Sequence, residues 1–215
     1  MTGKSPSPAD NRPKAEHGQE TTRDALLLAA AEVYARRGYQ RMTMENVLEQ
    51  AGLSRPTLYK YFSNKHDLVS AALLLQATHL YQGMVAAMPA GTAPVTELMR
   101  TWLQAYYHWS ESHRPLCQQI LRELDDPESP VAQARATFMG LVQALWTQEL
   151  AANDLQPADP LEIDALFHVM EHLAIRYFSL PAEEQNAEQR QRFIDNSMTL
   201  AGAYIMLLDQ QRPTR

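Results

Sequence analysis

The strongest constraint on this chain is a four-residue break between two short helical patterns. Met44 to Lys65 reads MENVLEQAGLSRPTLYKYFSNK, and the patterns flank Ala51-Gly52-Leu53-Ser54. Thr43 is a good N-cap for the first pattern, which puts Met44, Val47 and Leu48 on one face. Gly52 stands where a helix ends in a residue of positive φ. Ser54 is placed to cap the second helix, and Pro56 falls in its first turn, where a missing N–H costs nothing. The arrangement, over about 43–62, is a helix-turn-helix whose second helix can enter a DNA major groove.

The longer string Thr43-x-Glu45-x-Val47, then Ala51-Gly52-Leu53-Ser54-x-Pro56-Thr57-Leu58-Tyr59-x-Tyr61-Phe62-x-x-Lys65-x-x-Leu68, closely resembles the DNA-binding domain of TetR-type (tetracycline-repressor-like) transcriptional regulators. The resemblance covers residues 21–81; beyond them the chain is similar only in helical make-up. Pro56 stands where the family often has Gly, and Leu48 where it commonly has a small residue.

The residue types suit that role. Arg55, at the first exposed position of the second helix, has the fork to pair with guanine O6 and N7, although Arg serves phosphates as readily. Pro56 and Thr57 suit a thymine methyl, and Thr57 alternatively a phosphate. Tyr59 and Tyr61 carry hydroxyls fitted to phosphate contacts, and Lys65, at the start of the next helix, is a phosphate clamp. The bland alternative makes Tyr59 partly core and Tyr61 a surface aromatic. Leu58 and Phe62 are expected inward. The resemblance adds Thr43 as a phosphate contact.

Charge agrees once it is divided. The net charge of the whole chain is −6. Residues 1–65 carry ten Lys/Arg against seven Asp/Glu, a net of +3, and residues 66–215 carry nine against eighteen, a net of −9. Phosphate-binding potential therefore sits in the N-terminal third. The polar N-terminus lacks a signal-peptide core, no apolar run approaches a membrane span, and one cysteine, Cys117, allows no internal disulfide framework. A cytoplasmic protein with no membrane partner is expected.

The chain reads as all-α, with about nine helices: a three-helix N-terminal head followed by a helical body. Residues 1–20, rich in Pro, Ser, Glu and Gln, are expected to be a disordered tail, with Lys4, Arg12 and Lys14 either solvated or forming a DNA-contacting arm. The DNA-binding domain is placed at 21–81 and a regulatory, ligand-binding and dimerisation domain at 82–215. Helix 1 is expected from Thr21 to Arg37, where Gly38 stops it, and a long fourth helix from the Asn64 cap to about Met88, with Leu74 and Val85 among its apolar positions. Pro89 to Pro94 is a break, and the last helix is expected from about Ala182.

One head reads few base pairs, so a homodimer on double-stranded DNA with a palindromic operator is expected. The resemblance implies a four-helix interface from the last two helices of each copy, and a small-molecule effector held in the body. Trp102, Tyr106, Trp109, Phe138 and Trp146, with Met170 and His172, are the candidate cavity wall; aromatics at helical spacing are also what plain core looks like. An apolar or aromatic effector fits that wall best. His168 and His172 share a helix face at i and i+4, but no Cys/His cluster completes a ligand set, so no metal and no bound cofactor is expected. No glycine-rich phosphate loop, nucleophile elbow or paired catalytic carboxylates appears, so no catalytic residue is assigned. The expected activity is a repressor released from its operator by a small effector, with an activator or a metal-responsive regulator of the same fold as the alternative.

Overall fold

The computed structural model describes residues 12–89, 93–155 and 159–210. Every regular element among them is helical: α1 (Arg12–Arg41), α2 (Met44–Ala51), α3 (Arg55–Tyr61), α4 (Lys65–Ala86), α5 (Val95–Ser112), α6 (Arg114–Arg122), α7 (Val131–Ala152), α8 (Pro160–Phe178) and α9 (Ala187–Gln210). None is long and apolar enough to cross a membrane.

Helix α1 starts nine residues before the expected Thr21, so residues 12–20 are helical where a disordered tail is expected. The local reason is composition: Ala15, Glu16, Gln19 and Glu20 are good helix formers, and Pro13 falls in the first turn, where it is tolerated. Lys4 and the rest of the expected tail lie outside the described residues. Gly38 interrupts α1 at φ 73° and ψ 167°, a conformation that a side chain resists.

The helix-turn-helix is built by its caps. The Thr43 hydroxyl accepts from the Asn46 N–H, and the Asn46 side-chain oxygen accepts from the Thr43 N–H, both at 3.2 Å. This is a capping box with Asn in place of the usual Glu or Gln. Gly52 ends α2 at φ 64°, and a Cβ there would meet nothing within 4 Å, so the glycine supplies backbone angle alone. Ser54 differs from expectation. Its hydroxyl lies 2.8 Å from the Thr57 hydroxyl and makes no cap bond to the α3 backbone. Asn64 does cap α4, accepting from the Asp67 N–H at 2.9 Å.

Two apolar cores result, and α4 belongs to both. Leu68, Val69, Ala72 and Leu73 pack with Leu26, Tyr34, Val47, Leu58 and Phe62 in the head. Leu80 and Met84 pack with Trp102, Tyr107, Trp146, Tyr177 and Phe178 in the body. The helix is therefore continuous through the boundary placed at 81/82, and Leu116 and Val131 from the body complete the head core. The main buried line of α4 runs through Leu68, Ala72, Gln76, Leu80 and Met84, each four residues after the last. Leu74 and Val85 lie off it, and both are about two-fifths exposed, at 41% and 39%.

The head is tied to the body by Glu123, just beyond α6. Its buried carboxylate accepts from the Tyr34 hydroxyl at 2.8 Å, the Tyr39 N–H at 2.8 Å, the Gln119 amide at 2.7 Å and the Ser129 hydroxyl at 2.7 Å. Burial first, and then the hydrogen bond to this carboxylate, hold the Tyr34 phenol far above its usual range. A second polar node closes the body, where Glu111 of α5 accepts from Tyr177 of α8 and from Arg190 of α9. The last helix starts at Ala187, later than expected, because Asn186 caps it through the Gln189 N–H at 3.0 Å. A 3-10 turn, Ala182–Glu184, precedes it.

Removing the Glu123 carboxylate leaves donors from α1, α6 and the turn before α7 without an acceptor. Glu123→Ala is expected to lower unfolding stability in urea by about 3 kcal/mol or more. Glu123→Gln is expected to cost less, because the Tyr34 and Ser129 hydroxyls can turn to accept from the new amide. Gly38→Ala would place a Cβ 2.5 Å from the Gln119 side-chain nitrogen and 2.8 Å from the nearer Glu123 oxygen, at a positive φ. It is expected to lose about 1–3 kcal/mol in the same measurement.

Candidate nucleic-acid interface and body cavity

α3 is held by two apolar pegs and offers the rest of its surface. Leu58 and Phe62 are buried, as expected; Arg55, Pro56, Tyr59 and Lys60 are exposed, and Thr57 and Tyr61 are half-buried. Thr43 is exposed at the start of α2. Its hydroxyl oxygen is already an acceptor in the capping box, which leaves the O–H free to donate.

Arg55 is held loosely. It bonds Glu45 of α2 at 3.1 Å and lies 5.7 Å from the centroid of the Tyr59 ring. Both members of the ion pair are more than three-fifths exposed, at 66% and 62%, so the pair opposes little when a stronger acceptor arrives. Lys65 is held more firmly: its Nζ donates to the Tyr39 carbonyl at 2.8 Å and sits 4.3 Å from the Tyr39 ring centroid. An ammonium has three donors, so this bond places the charge and leaves donors over.

Further cations lie near these residues. Arg23 sits 5.5 Å from the centroid of the Phe62 ring, behind the end of α3, and Lys60 sits 5.5 Å from that of Tyr61. Arg37 and Arg41 stand together just before Thr43, the Arg41 Nε donating to the Arg37 carbonyl at 3.0 Å. Sequence reasoning missed these because they belong to α1 or fall between motif positions, and only the folded chain sets them beside α2 and α3.

In the body, five of the seven expected wall residues meet. Trp102, Tyr106, Phe138, Trp146 and Met170 line one cavity among α4, α5, α7 and α8, about 820 Å³ counted out to its solvent-open mouth. A second, of about 750 Å³ on the same count, lies against α6 and is lined by Trp109, Tyr106 and Phe138 together with Cys117 and Ile120. Tyr106, Phe138, Arg135 and Glu171 wall both. His172 lines neither and is exposed on the outer face of α8. It is two residues past the inward Met170, which turns it about 200° around the helix.

Arg135 and Glu171 form a charged pair common to both cavities. The guanidinium donates to the carboxylate through two bonds of 2.8 Å each, and Nη2, the donor of one of them, also lies 3.2 Å from His168 Nε2. The bidentate bond to Glu171 pushes the Arg135 pKa up further. The sequence signal was there: Arg135, the one cation of α7, and Glu171, next to Met170 on the apolar stripe of α8. Among the described residues no group of His, Cys, Asp and Glu is disposed to hold a metal ion.

Burial also raises the Cys117 thiol to about 11 and the Tyr107 phenol to about 12. Both are neutral acids whose folded values exceed their unfolded ones, so their contribution to stability is complete below the unfolded pKa and is lost as pH rises through the folded one. Thermal stability is expected to hold to about pH 8.5 and then fall steadily between about pH 9 and 12, with Cys117 resisting alkylation until the fold opens.

Comparison with known proteins bears on the head most directly. Residues 26–72 match the sequence model of the bacterial regulatory proteins of the tetR family. The HTH-type transcriptional activator FasR of Mycolicibacterium smegmatis is 32% identical over 93 residues, which is 43% of this chain and 42% of that protein. The DNA-binding transcriptional repressor TetR of Mycobacteroides abscessus is 44% identical over 54 residues, 25% of this chain and 28% of that one. The chain thus spans less than half the length of these curated relatives. The fold extends further than the sequence likeness. A tetR-family transcriptional regulator from Streptomyces coelicolor superposes with a TM-score of 0.68 at 19% identity, covering 90% of each chain. The fatty acid degradation regulator FadR from Bacillus halodurans gives 0.67 at 16% identity, covering 82% of this chain and 96% of that one.

Proposed function

We propose, on the premise that this chain is a TetR-type DNA-binding regulator and not an enzyme, that it is a dimeric repressor released from a palindromic operator by a small effector held in the body. The observation that carries the DNA-binding part is the surface of α3. Its buried pegs fix the helix, while Arg55, Pro56, Thr57 and Tyr59 stand at its outer side with Tyr61 and Lys65 next to them. In this reading Arg55 exchanges Glu45 for a guanine edge or a phosphate. Thr43, Tyr59, Tyr61 and Lys65 hold the flanking phosphates, Lys65 keeping its bond to Tyr39 as it does so.

The dimer reading rests on apolar side chains that the fold leaves uncovered. Leu161 is 75% exposed and Val169 44% on α8, and Leu200 is 44% and Met206 64% exposed on α9. α8 and α9 pack on each other, so two copies meeting along these helices would form a four-helix interface. His168 and His172 lie on the same outer side of α8 as Val169, where they would be polar members of that interface. In this reading the division near residue 81 is one of function, with the shared α4 crossing it.

Titration of the protein with DNA from upstream of its own gene, across a salt series, tests the first part. Arg55→Ala is expected to weaken specific binding by about tenfold or more, with a thermal midpoint close to that of the unaltered protein. Lys65→Met is expected to weaken all duplexes alike and reduce the salt slope by about 1. Equal, salt-insensitive binding of every variant to every duplex would sink the proposal. Sedimentation velocity tests the second part: Val169→Asp combined with Leu200→Glu is expected to yield monomers that keep their helical content and lose operator affinity. A variant that stays dimeric would move the interface elsewhere.

A further inference from the structure

The cavity among α4, α5, α7 and α8 is apolar but not chemically blank. Trp102 is 5% exposed and Trp146 1%, and both indole rings wall it, their centroids 5.9 Å apart and their planes tilted by 53°. Among the described residues, neither indole nitrogen has a hydrogen-bond partner. A buried N–H left without an acceptor carries its full desolvation penalty, and native cores leave few such groups unexplained. Among the body's other polar groups the Tyr177 hydroxyl has Glu111 and Arg135 has Glu171, whereas the buried Ser110 hydroxyl and the Gln185 side-chain oxygen share the indoles' lack of a partner among the described residues. Two orphaned donors, buried on side chains that wall one cavity, point to an acceptor that arrives with the cavity's occupant.

The same wall argues about charge. Arg135 and Glu171 satisfy each other bidentately where both are about a quarter exposed, at 26% and 25%, so the cavity offers no free charge of either sign. An anion would have to displace Glu171 from Arg135, and a cation would have to displace Arg135 from Glu171; either leaves a partly buried charge unpaired. The remaining lining is mostly Met, Leu, Phe and Val, with two tyrosines.

We propose that this cavity binds a neutral, largely apolar molecule bearing a hydrogen-bond acceptor, a carbonyl or ether oxygen, that takes the indole N–H of Trp102 or Trp146. This rests on the reading of the body as an effector site and specifies the effector's chemistry.

Three probes of one shape test it: benzophenone, which has the acceptor; diphenylmethane, which lacks it; and 4-benzoylbenzoate, which adds a negative charge. Each competes with N-phenyl-1-naphthylamine on the full chain, read by energy transfer from the body's tryptophans to the dye. A cavity that is merely greasy ranks the hydrocarbon first, because no water-bound acceptor is stripped on entry. The expected ranking is reversed, with benzophenone at least about tenfold tighter than either other probe. Trp102→Phe or Trp146→Phe should restore the hydrocarbon-first order, and the ranking in the unaltered protein decides the matter even if a variant fails to fold. Diphenylmethane equal to or tighter than benzophenone would refute the acceptor, and a preference for the anion would refute neutrality; either leaves the effector site standing. Bound dye that none of the three probes displaces would refute the proposal alone; if the dye receives no energy transfer from the body's tryptophans, the cavity is not a ligand site, and the effector reading falls with the proposal.

Discussion

The Glu123 carboxylate has four donors around it, and the relation of head to body depends on keeping them there. Charge that far from water is tolerated only when hydrogen bonds replace its hydration. Two of the donors, Tyr34 and the Tyr39 N–H, come from α1; Gln119 comes from α6 and Ser129 from the turn before α7. The tight seat requires Gly38, whose positive φ turns the Tyr39 N–H to the carboxylate and whose missing side chain leaves room for Gln119. An intermediate docking of head on body would leave a charged group neither hydrated nor bonded. The arrangement therefore favours one geometry over a continuum of them.

Tyr39 is bonded on both sides, and this matters for the DNA-facing surface. Its N–H goes to Glu123, and its carbonyl receives Lys65 at the start of α4. One residue thus stands between the end of α6 and the cation next to α3. α6 is also a wall of the second cavity through Cys117, Ile120 and Leu121. An occupant that displaced α6 would have to carry Glu123 with it or break a bond to Tyr39, which gives the proposed effector response a short mechanical route. α4 supplies a parallel one, because a rigid helix with Leu73 in one core and Leu80 in the other cannot tilt without repacking both.

The head was legible in the sequence because its determinants are local. A cap at Thr43, a positive φ at Gly52 and apolar pegs at Leu58 and Phe62 each follow from a residue and its near neighbours. The body was legible as helices and as an apolar wall, but not as a surface. The aromatic stripe of α5 brought Trp102 and Tyr106 to the cavity, whereas His172 went outward because the side it faces is set by how α8 rolls against its neighbours. The Ser54 cap failed for a similar reason: a hydroxyl with two polar neighbours chose the Thr57 side chain over the backbone. Glu123 was invisible, since nothing near it in sequence shows that Tyr34 and Tyr39, more than eighty residues earlier, will enclose it. Helical starts were misjudged wherever polar helix formers precede the apolar pattern, as at residues 12–20.

The two cores differ in what they leave unfinished. The head core is knitted by short aliphatic and aromatic contacts, and its neighbouring polar groups, such as Tyr34 and Lys65, have partners. The body core contains more large aromatics, two adjoining cavities and indole donors that no atom of the described residues accepts from. Such a core gives up dispersion contacts and hydrogen bonds that tighter packing would supply. A site that reads DNA benefits from holding its side chains in place, because misplacing them by an ångström forfeits the contacts; a site that responds to a ligand needs a part whose packing the ligand can complete. The division between a satisfied head and an unfinished body, joined through one buried carboxylate, is the physical form that such a pairing takes.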